Sequence, residues 1–193
     1  MMEVYLAENL GFCYGVKRAI QLAEDSVTPQ SKSYTLGPII HNPQMVARLA
    51  ERGIGKIDKL AEITGGTVIV RSHGVGPQVY DKIEAKGFQL VDATCPHVRK
   101  AQQSAKSLSE EGYQVVIVGD KNHPEVKSIL EWAGEGAIAL DTEDEAEHLL
   151  PCKKLGIVSQ TTFSGIKFKQ IVIKLLDKSA DVKILRTICT ATD

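Results

Sequence analysis

Short apolar runs alternate with amphipathic segments along the whole chain. The runs at 66–71 and 113–119 are rich in valine and isoleucine, which is typical of strands buried on both faces of a parallel sheet. Segments such as 16–23 place apolar residues at i, i+3, i+4 and i+7, which predicts a helix with one apolar face. Because the two kinds of segment alternate, the pattern predicts an α/β fold with parallel sheets.

A cysteine motif occurs twice in the sequence, at 11–19 and at 93–101. Each copy has a cysteine after a predicted strand, followed by a valine, two basic residues and an alanine at matching positions. A histidine follows each cysteine at the same distance along the chain, and a third copy begins at Cys189. Since each copy of a repeat tends to be one supersecondary unit, the motif predicts repeated α/β subdomains.

The repeat also predicts the subdomain boundaries. We expect a first α/β subdomain at 13–94 and a second at 95–188. The third would start at 189–193 and be largely missing, and the strand at 1–12 would belong to that third or central unit. Such small parallel-sheet subdomains would be arranged with pseudo-three-fold symmetry. We expect Cys189 to lie on a tail without structural support.

Composition and charge narrow the classes of function. The 193 residues are 43% hydrophobic, enough for an ordinary core, and a formal net charge of −1 gives no bulk attraction to nucleic acid or acidic membranes. We see no signal peptide and no apolar stretch near the ~20 residues that cross a bilayer. We therefore expect a cytoplasmic protein whose cysteines stay reduced and serve as ligands, nucleophiles or bystanders.

Candidate chemistry lies where predicted strands end and helices begin. Cys13 stands at a helix N-terminus, where the macrodipole and free N–H groups favour the thiolate form that binds metal. His41, His73 and His123 lie at strand-to-helix corners, from which imidazoles can donate hydrogen bonds to phosphate oxygens. Glu125 follows one such corner closely and can transfer a proton if burial raises its pKa.

The three repeated cysteines leave two kinds of metal site open. Cys13, Cys95 and Cys189 lack the C-x-x-C spacing of a zinc ribbon or a bacterial ferredoxin, so they would have to converge from separate subdomains. Three thiolates suit an iron–sulfur cluster in which one iron lacks a protein ligand. Three thiolates with one histidine would instead suit structural zinc.

Seven motifs occur in order along essentially the whole chain. They are Gly-Phe-Cys-x-Gly-Val-x-Arg-Ala at 11–19, His41-Asn42, Ser72-His73-Gly74-Val75, Asp92-Ala93-Thr94-Cys95-Pro96, His123-Pro124-Glu125-Val126, Ser159-Gln160-Thr161-Thr162 and Ile188-Cys189-x-Ala191-Thr192. Together they closely resemble the 4-hydroxy-3-methylbut-2-enyl diphosphate reductase (LytB/IspH) family. Family chains continue past the third cysteine, so the resemblance also implies that this chain is a fragment.

The resemblance implies an iron–sulfur enzyme of the non-mevalonate isoprenoid pathway. Such an enzyme removes the 4-hydroxyl group of 4-hydroxy-3-methylbut-2-enyl diphosphate as water, using two electrons and two protons, and gives isopentenyl and dimethylallyl diphosphate. A [4Fe–4S] cluster would be held by Cys13, Cys95 and Cys189. Electrons would come from a ferredoxin or a flavodoxin.

The same resemblance implies roles for five further residues. The diphosphate of the allylic substrate would be held by His41, His73 and His123. Glu125 matches the carboxylate that delivers a proton in the family. Thr161 matches the hydroxyl that helps to orient substrate and water.

Two other functions stay open. A non-enzymatic iron–sulfur or zinc binding module would use the cysteines alone. A zinc hydrolase would use His73 and His123 as ligands with Glu125 as base, although the chain has no His-Glu-x-x-His spacing. We interpret His97 as structural and Cys152 as a bystander.

Overall fold

The computed structural model describes residues 3–5, 11–29 and 31–191. The first of its sheets consists of four parallel strands: β1 Ser33–Leu36, β2 Ile54–Ile57, β3 Thr67–Val70 and β4 Gln89–Asp92. Their order across the sheet is β2-β1-β3-β4. The register pairs Ser33 with both Ile54 and Thr67, so the carboxyl ends of β1, β2 and β3 lie at one edge.

The second sheet repeats this arrangement. Its four parallel strands are β5 Gln114–Val118, β6 Ile138–Leu140, β7 Lys154–Ser159 and β8 Asp181–Leu185. The order β6-β5-β7-β8 is the same as in the first sheet when each sheet is numbered from its own first strand. The repeat that is visible in the cysteine motifs is therefore a repeat of a whole four-stranded unit.

Seven helices connect and cover the sheets in the described residues. They are α1 Tyr14–Asp25, α2 Pro43–Glu51, α3 Pro77–Ala85, α4 Pro96–Glu110, α5 Pro124–Ala133, α6 Glu143–Glu147 and α7 Gly165–Leu176. Proline occupies the first turn of α2, α3, α4 and α5, where its missing N–H has no intrahelical acceptor to lose. No helix in the described ranges has both the length and the apolarity to span a membrane.

The two faces of each sheet pack into separate apolar clusters. In β3, Ile69 packs towards the layer that contains Ala19 and Leu49, whereas Val68 and Val70 pack with Ile83 on the opposite face. The second sheet is covered on both faces in the same way, by α4 and α5 on one side and by α6 and α7 on the other. The central strands are thus buried on both faces, which confirms the α/β fold that the apolar runs predict.

Strand ends and edge strands differ from the sequence prediction. The apolar pattern at 34–40 predicts one strand, but β1 ends at Leu36 because Gly37 adopts a φ of 74° and turns the chain, and Gly37 N donates to Ile57 O at 2.7 Å. The edge strands β2 and β8 were not predicted. Most of the strand predicted at 1–12 lies outside the described residues, and the subdomain boundaries at 13, 95 and 189 stay predictions.

We expect the second sheet to depend on Ile117, which is fully buried in the centre of β5. Ile117→Ala should lower the free energy of unfolding by ~2–5 kcal/mol through lost burial and a residual cavity. Urea denaturation followed by circular dichroism measures this change. The matched control is Ile173→Ala on α7, where the side chain is 63% exposed and the change should stay within about 0.5 kcal/mol. Equal losses in the two variants would contradict this assignment of the core.

Candidate functional site

Three cysteines from distant parts of the chain line one cavity of about 110 Å³. Cys13 and Cys95 occupy the N-cap positions of α1 and α4, and Cys189 follows β8. None of them is in a disulfide. The three cysteines thus line one cavity, as the sequence reasoning expects, and their role as metal ligands stays a prediction.

The cavity forms because α1 approaches the Cys95 corner without an intervening side chain. A Cβ at Gly15 would lie 2.5 Å from Cys95 Sγ, so this position tolerates only glycine in the observed packing. Arg18, one turn further along α1, donates from Nη1 to Thr94 O at 3.1 Å. These contacts hold the start of α1 against the start of α4.

Ser72 connects the corners of the first unit. Its hydroxyl donates to Ile39 O at 3.0 Å, which fixes the segment just before His41. Its own carbonyl oxygen accepts from Cys95 N at 2.9 Å. One buried residue therefore places a histidine loop and a cysteine corner relative to β3.

Thr187 holds the segment that carries Cys189. Its hydroxyl accepts from Ser159 N at 2.9 Å and donates to Ser159 O at 2.5 Å, and its backbone N donates to Ser159 Oγ at 3.2 Å. Cys189 N then donates to Thr161 O at 2.8 Å. The expectation of an unsupported tail was wrong. Because β8 pairs in parallel with β7, the segment after β8 lies beside Ser159 and Thr161, where β7 ends.

The thiols influence one another electrostatically. Burial raises the pKa of Cys95, and the neighbouring Cys13 and Cys189 raise it further, whereas backbone N–H groups of His97 and Val98 lower it. Several thiolates in one cavity therefore repel one another, and a bound cationic group would favour the deprotonated forms.

The candidate metal ligands of the site form two groups, the three histidines and the three cysteines. Among the described residues, the only set of three or more ligand side chains whose atoms all lie within 4.8 Å of one another is His41, His73 and His123. The three cysteines share a cavity but do not meet that limit. Three thiolates suit an iron–sulfur cluster in which one iron lacks a protein ligand. They fit a cofactor that contains several metal atoms.

The three histidines that the sequence places at corners meet at one point. The ring centroids of His41 and His73 are 4.4 Å apart, and the His123 ring lies 5.4 Å from the first and 5.3 Å from the second. His123 is the N-cap of α5, and His73 follows β3. The carboxyl ends of strands in both units thus supply one imidazole cluster.

The imidazoles of His73 and His123 are neutral hydrogen-bonding groups. Burial, His41, Arg71 and His123 together lower the pKa of His73 to about 3, and burial is the main cause that lowers the pKa of His123. His123 Nδ1 accepts from Glu125 N at 3.2 Å, so the proton of the neutral ring is on Nε2. His73 Nδ1 is buried and has no hydrogen-bond partner in the described part of the chain.

Glu125 and Thr161 form a buried pair between these two clusters. Thr161 N donates to Glu125 Oε1 at 2.6 Å, and Thr161 Oγ1 donates to Oε2 at 2.9 Å. The Glu125 side chain is almost fully buried, and this burial raises its pKa despite the two hydrogen bonds, which lower it. The carboxyl group therefore retains its proton to a higher pH than a solvated glutamate does.

All eight residues selected from the sequence come together. His73, Glu125 and Thr161 line the cavity that the cysteines line, and His41 and His123 join it through contacts with the His73 ring. Sequence reasoning missed four neighbours, although each adjoins a selected residue or motif: the cavity wall also includes Ser72, His97 and Thr162, and Arg71 contributes to the local charge.

A larger groove of about 550 Å³ includes His41 in its lining. Its lining is mostly apolar and includes Pro38, Val46 and Ala50. Neither the cysteines nor Glu125 is among the described residues that line it. The convergent chemistry therefore lies in the smaller cavity.

Comparison with known protein families shows the family to which this chain belongs. The sequence profile of the family described as LytB protein matches residues 4–193. The chain belongs to the LytB family. The matched region contains the thiols, the imidazoles and the buried carboxyl group described above.

Curated members of the LytB family are similar along nearly the whole chain. The 4-hydroxy-3-methylbut-2-enyl diphosphate reductase of Geobacter metallireducens is 49% identical over 191 residues, which is 99% of this chain and 68% of that protein. The protein of the same name from Geobacter sulfurreducens is 44% identical over 191 residues, with the same two coverages.

Solved LytB-family structures share the fold. The structure of (E)-4-hydroxy-3-methyl-but-2-enyl diphosphate reductase, the terminal enzyme of the non-mevalonate pathway, has a TM-score of 0.86 and 42% identity, and the match covers 99% of this chain and 69% of that one. The E-1-hydroxy-2-methyl-but-2-enyl-4-diphosphate reductase from Plasmodium falciparum has a TM-score of 0.88 and 30% identity, covering 94% of this chain and 59% of that one. These likenesses support the repeated αβ architecture.

We expect Thr187→Val to release the Cys189 segment, because the backbone and hydroxyl groups of Ser159 lose their hydrogen bonds to the Thr187 hydroxyl. The free energy of unfolding should fall by ~1–3 kcal/mol, the usual result of leaving a buried polar group unsatisfied. Cys189 should also react faster with iodoacetamide, as measured by peptide mass spectrometry, while the rate at Cys13 stays unchanged. The control is Thr142→Val, which removes an exposed helix cap. Unchanged Cys189 labelling in Thr187→Val would contradict the proposal that the Thr187 hydroxyl holds the Cys189 segment in place.

The raised pKa of Glu125 predicts a pH-dependent stability difference. A carboxyl group with a raised folded-state pKa stabilises the fold below its ordinary value of 4.5, and this contribution is lost as the pH rises through the folded-state pKa. The free energy of unfolding of the wild type should therefore fall relative to that of Glu125→Gln as the pH rises. Glu111→Gln is the control of opposite sign, because Lys183 lowers the pKa of Glu111. A flat difference for Glu125→Gln between pH 4 and 8 would contradict the prediction.

Proposed function

We propose that this chain is a reductive dehydroxylase that converts 4-hydroxy-3-methylbut-2-enyl diphosphate into isopentenyl and dimethylallyl diphosphate. One observation carries the proposal: three thiols, three imidazoles and a buried carboxyl group meet around one cavity. Each set supplies a part that the reaction needs, namely a redox cofactor, a diphosphate site and a proton donor. Membership of the LytB family supports the same conclusion.

The cofactor in this proposal is a [4Fe–4S] cluster held by Cys13, Cys95 and Cys189. When bound, such a cluster supplies electrons, and an iron without a protein ligand supplies a Lewis acid. The donor set fits, because the three thiols line one cavity and three thiolates suit an iron–sulfur cluster in which one iron lacks a protein ligand. The N-cap positions of Cys13 and Cys95 add backbone N–H groups that favour sulfur as an anion.

The diphosphate in this proposal binds to His41, His73 and His123. The low pKa values of His73 and His123 keep these rings neutral, so they contribute N–H donors to phosphate oxygens and add no positive charge. The unpartnered Nδ1 of His73 supports a ligand at this point, because buried polar atoms are rarely left unsatisfied. The positive end of α5, capped by His123, adds further attraction for an anion.

Glu125 is the proposed proton donor. Burial raises the pKa of its carboxyl group, which favours the protonated form, and the two bonds from Thr161 fix its orientation at the cavity wall. The reaction balances when two electrons and two protons enter: the C–O bond breaks, the hydroxyl group leaves as water, and carbon receives the second proton. Thr161 is the proposed group that orients substrate and leaving water through its hydroxyl.

A zinc hydrolase is disfavoured by the state of His123. A ring that binds zinc through Nε2 presents a lone pair there and usually donates its other N–H to a carboxylate or carbonyl. In this chain Nδ1 accepts from a backbone N–H, so Nε2 carries a proton. A purely metal-binding module would give no role to the buried Glu125 and the imidazole cluster, which supports the enzymatic alternative.

A ferredoxin or a flavodoxin is the proposed electron donor, as the resemblance to the reductase family implies. The cytoplasm is the proposed location, since all four cysteines are free and a reducing compartment keeps them so.

The test compares two cysteine variants after anaerobic reconstitution with iron and sulfide. Wild type and Cys152→Ser should bind the same amount of iron and sulfide, because Cys152 lies away from the cavity and its Sγ contacts Lys154 O. Cys13→Ser should lose most of the bound iron. With dithionite and a viologen as electron source, the two loaded proteins should convert the substrate, and Cys13→Ser should be at least 100-fold slower.

Iron binding without turnover in the wild type, and without a spectral change on adding the substrate, would overturn the reductase in favour of a binding module. Equal iron contents in Cys13→Ser and the wild type would overturn the proposed ligand set.

A further inference from the structure

Ser128 lies at a junction of three segments behind the cavity. It is on α5, and only 3% of the residue is exposed. Its Oγ lies 3.0 Å from His73 O and 2.8 Å from Glu125 O, and it accepts from Gln102 Nε2 at 3.0 Å. One hydroxyl group therefore contacts the backbone of a diphosphate-site histidine and the backbone of the proton donor.

The junction crosses the boundary between the two sheet units. His73 lies in the loop after β3 of the first sheet, whereas Glu125 and Ser128 lie on α5, which packs on the second sheet. Gln102 is on α4 and is fully buried. The bond from Ser128 to His73 O therefore ties a loop of one unit to a helix of the other.

The His73 loop packs directly on the Gln102 amide. Gly74 has a φ of 69°, and a Cβ there would lie 2.3 Å from Gln102 Nε2. Gln102 Oε1 is buried without a hydrogen-bond partner in the described part of the chain. Such a group destabilises a fold, so a glutamine here is better explained by what its amide holds in place than by stability.

We propose that Ser128 and Gln102 are positioning residues that fix His73 relative to Glu125. Neither is among the described residues that line the cavity, so they act through the two site residues and do not contact the substrate. The hydroxyl of Ser128 sets the separation between the diphosphate site and the proton donor, and the Gln102 amide orients that hydroxyl. This inference rests on the proposed function for its kinetic consequence, but the positioning itself can be measured without turnover.

The first experiment measures hydrogen exchange in the metal-free protein. Ser128→Ala should increase amide exchange in the peptide containing residues 71–76, because its carbonyl anchor to α5 is lost. Ser128→Thr keeps a hydroxyl group and should restore slow exchange. The control is Ser107→Ala on α4, whose hydroxyl contacts only the exposed Glu111. Unchanged exchange at 71–76 in Ser128→Ala would overturn the inference.

The second experiment measures turnover by the reconstituted enzyme. Ser128→Ala should lower kcat/KM by about 10- to 100-fold, the range expected when reacting groups are displaced by a fraction of an ångström to 1 Å. KM should rise through His73 and kcat should fall through Glu125, and Ser128→Thr should recover most of both. A merely structural role would lower the melting temperature and leave kcat and KM below that temperature unchanged. That result would overturn the inference.

Gln102→Met provides a second route if Ser128→Ala folds poorly. It removes the amide that orients the hydroxyl and leaves Ser128 intact, so exchange at 71–76 should increase by a smaller factor. Wild-type-like exchange and kinetics in Gln102→Met would remove Gln102 from the proposal. A wild type without turnover would overturn the proposed function, while the exchange experiment would still decide whether Ser128 holds the loop.

Discussion

The contact between α1 and the sulfur of Cys95 is the constraint on which the site depends. Position 15 carries no side chain, and a Cβ there would lie 2.5 Å from the sulfur atom. Cys13 stands just before this glycine, so the contact brings two thiols to the same cavity. Gly15, Arg18 and Ser72 together fix the Cys95 corner from three directions, and a shift of α1 against α4 would change the spacing of the sulfurs before it disturbed either sheet.

The site uses the same positions of the fold twice. Parallel strands end at one edge of each sheet, and the helices that follow start there with free N–H groups. Cys13, Cys95 and His123 are all N-cap residues, so sulfur and imidazole acceptors face unsatisfied backbone donors. Duplication of the four-stranded unit thus supplied two equivalent corners, and their convergence gives a thiol cluster and an imidazole cluster that one unit alone lacks.

The repeat predicted that the cysteine corners and the corners of His41 and His123 lie close together, whereas Thr161 was selected only through the resemblance to the family. Matching intervals between cysteine and histidine imply matching corners, and the two identical strand orders explain why that inference holds. The strands β2 and β8 escaped prediction because neither has the run of β-branched residues that marks β3 and β5. The hydrogen bonds between Thr187 and Ser159, and those at Ser128, are tertiary contacts. The spacing of residues along the chain does not predict them. The protonated nitrogen of His123 likewise follows from one backbone N–H that only the folded helix supplies.

The positions of the three cysteines along the chain also determine when one group could bind all of them. Cys13, Cys95 and Cys189 lie far apart in the chain, and each is held by a different helix or strand end. An unfolded chain would bring them together only by closing two long loops, which is entropically unfavourable. A cofactor that binds all three thiols would therefore bind after both sheets have folded, because only the folded chain brings the thiols to one cavity.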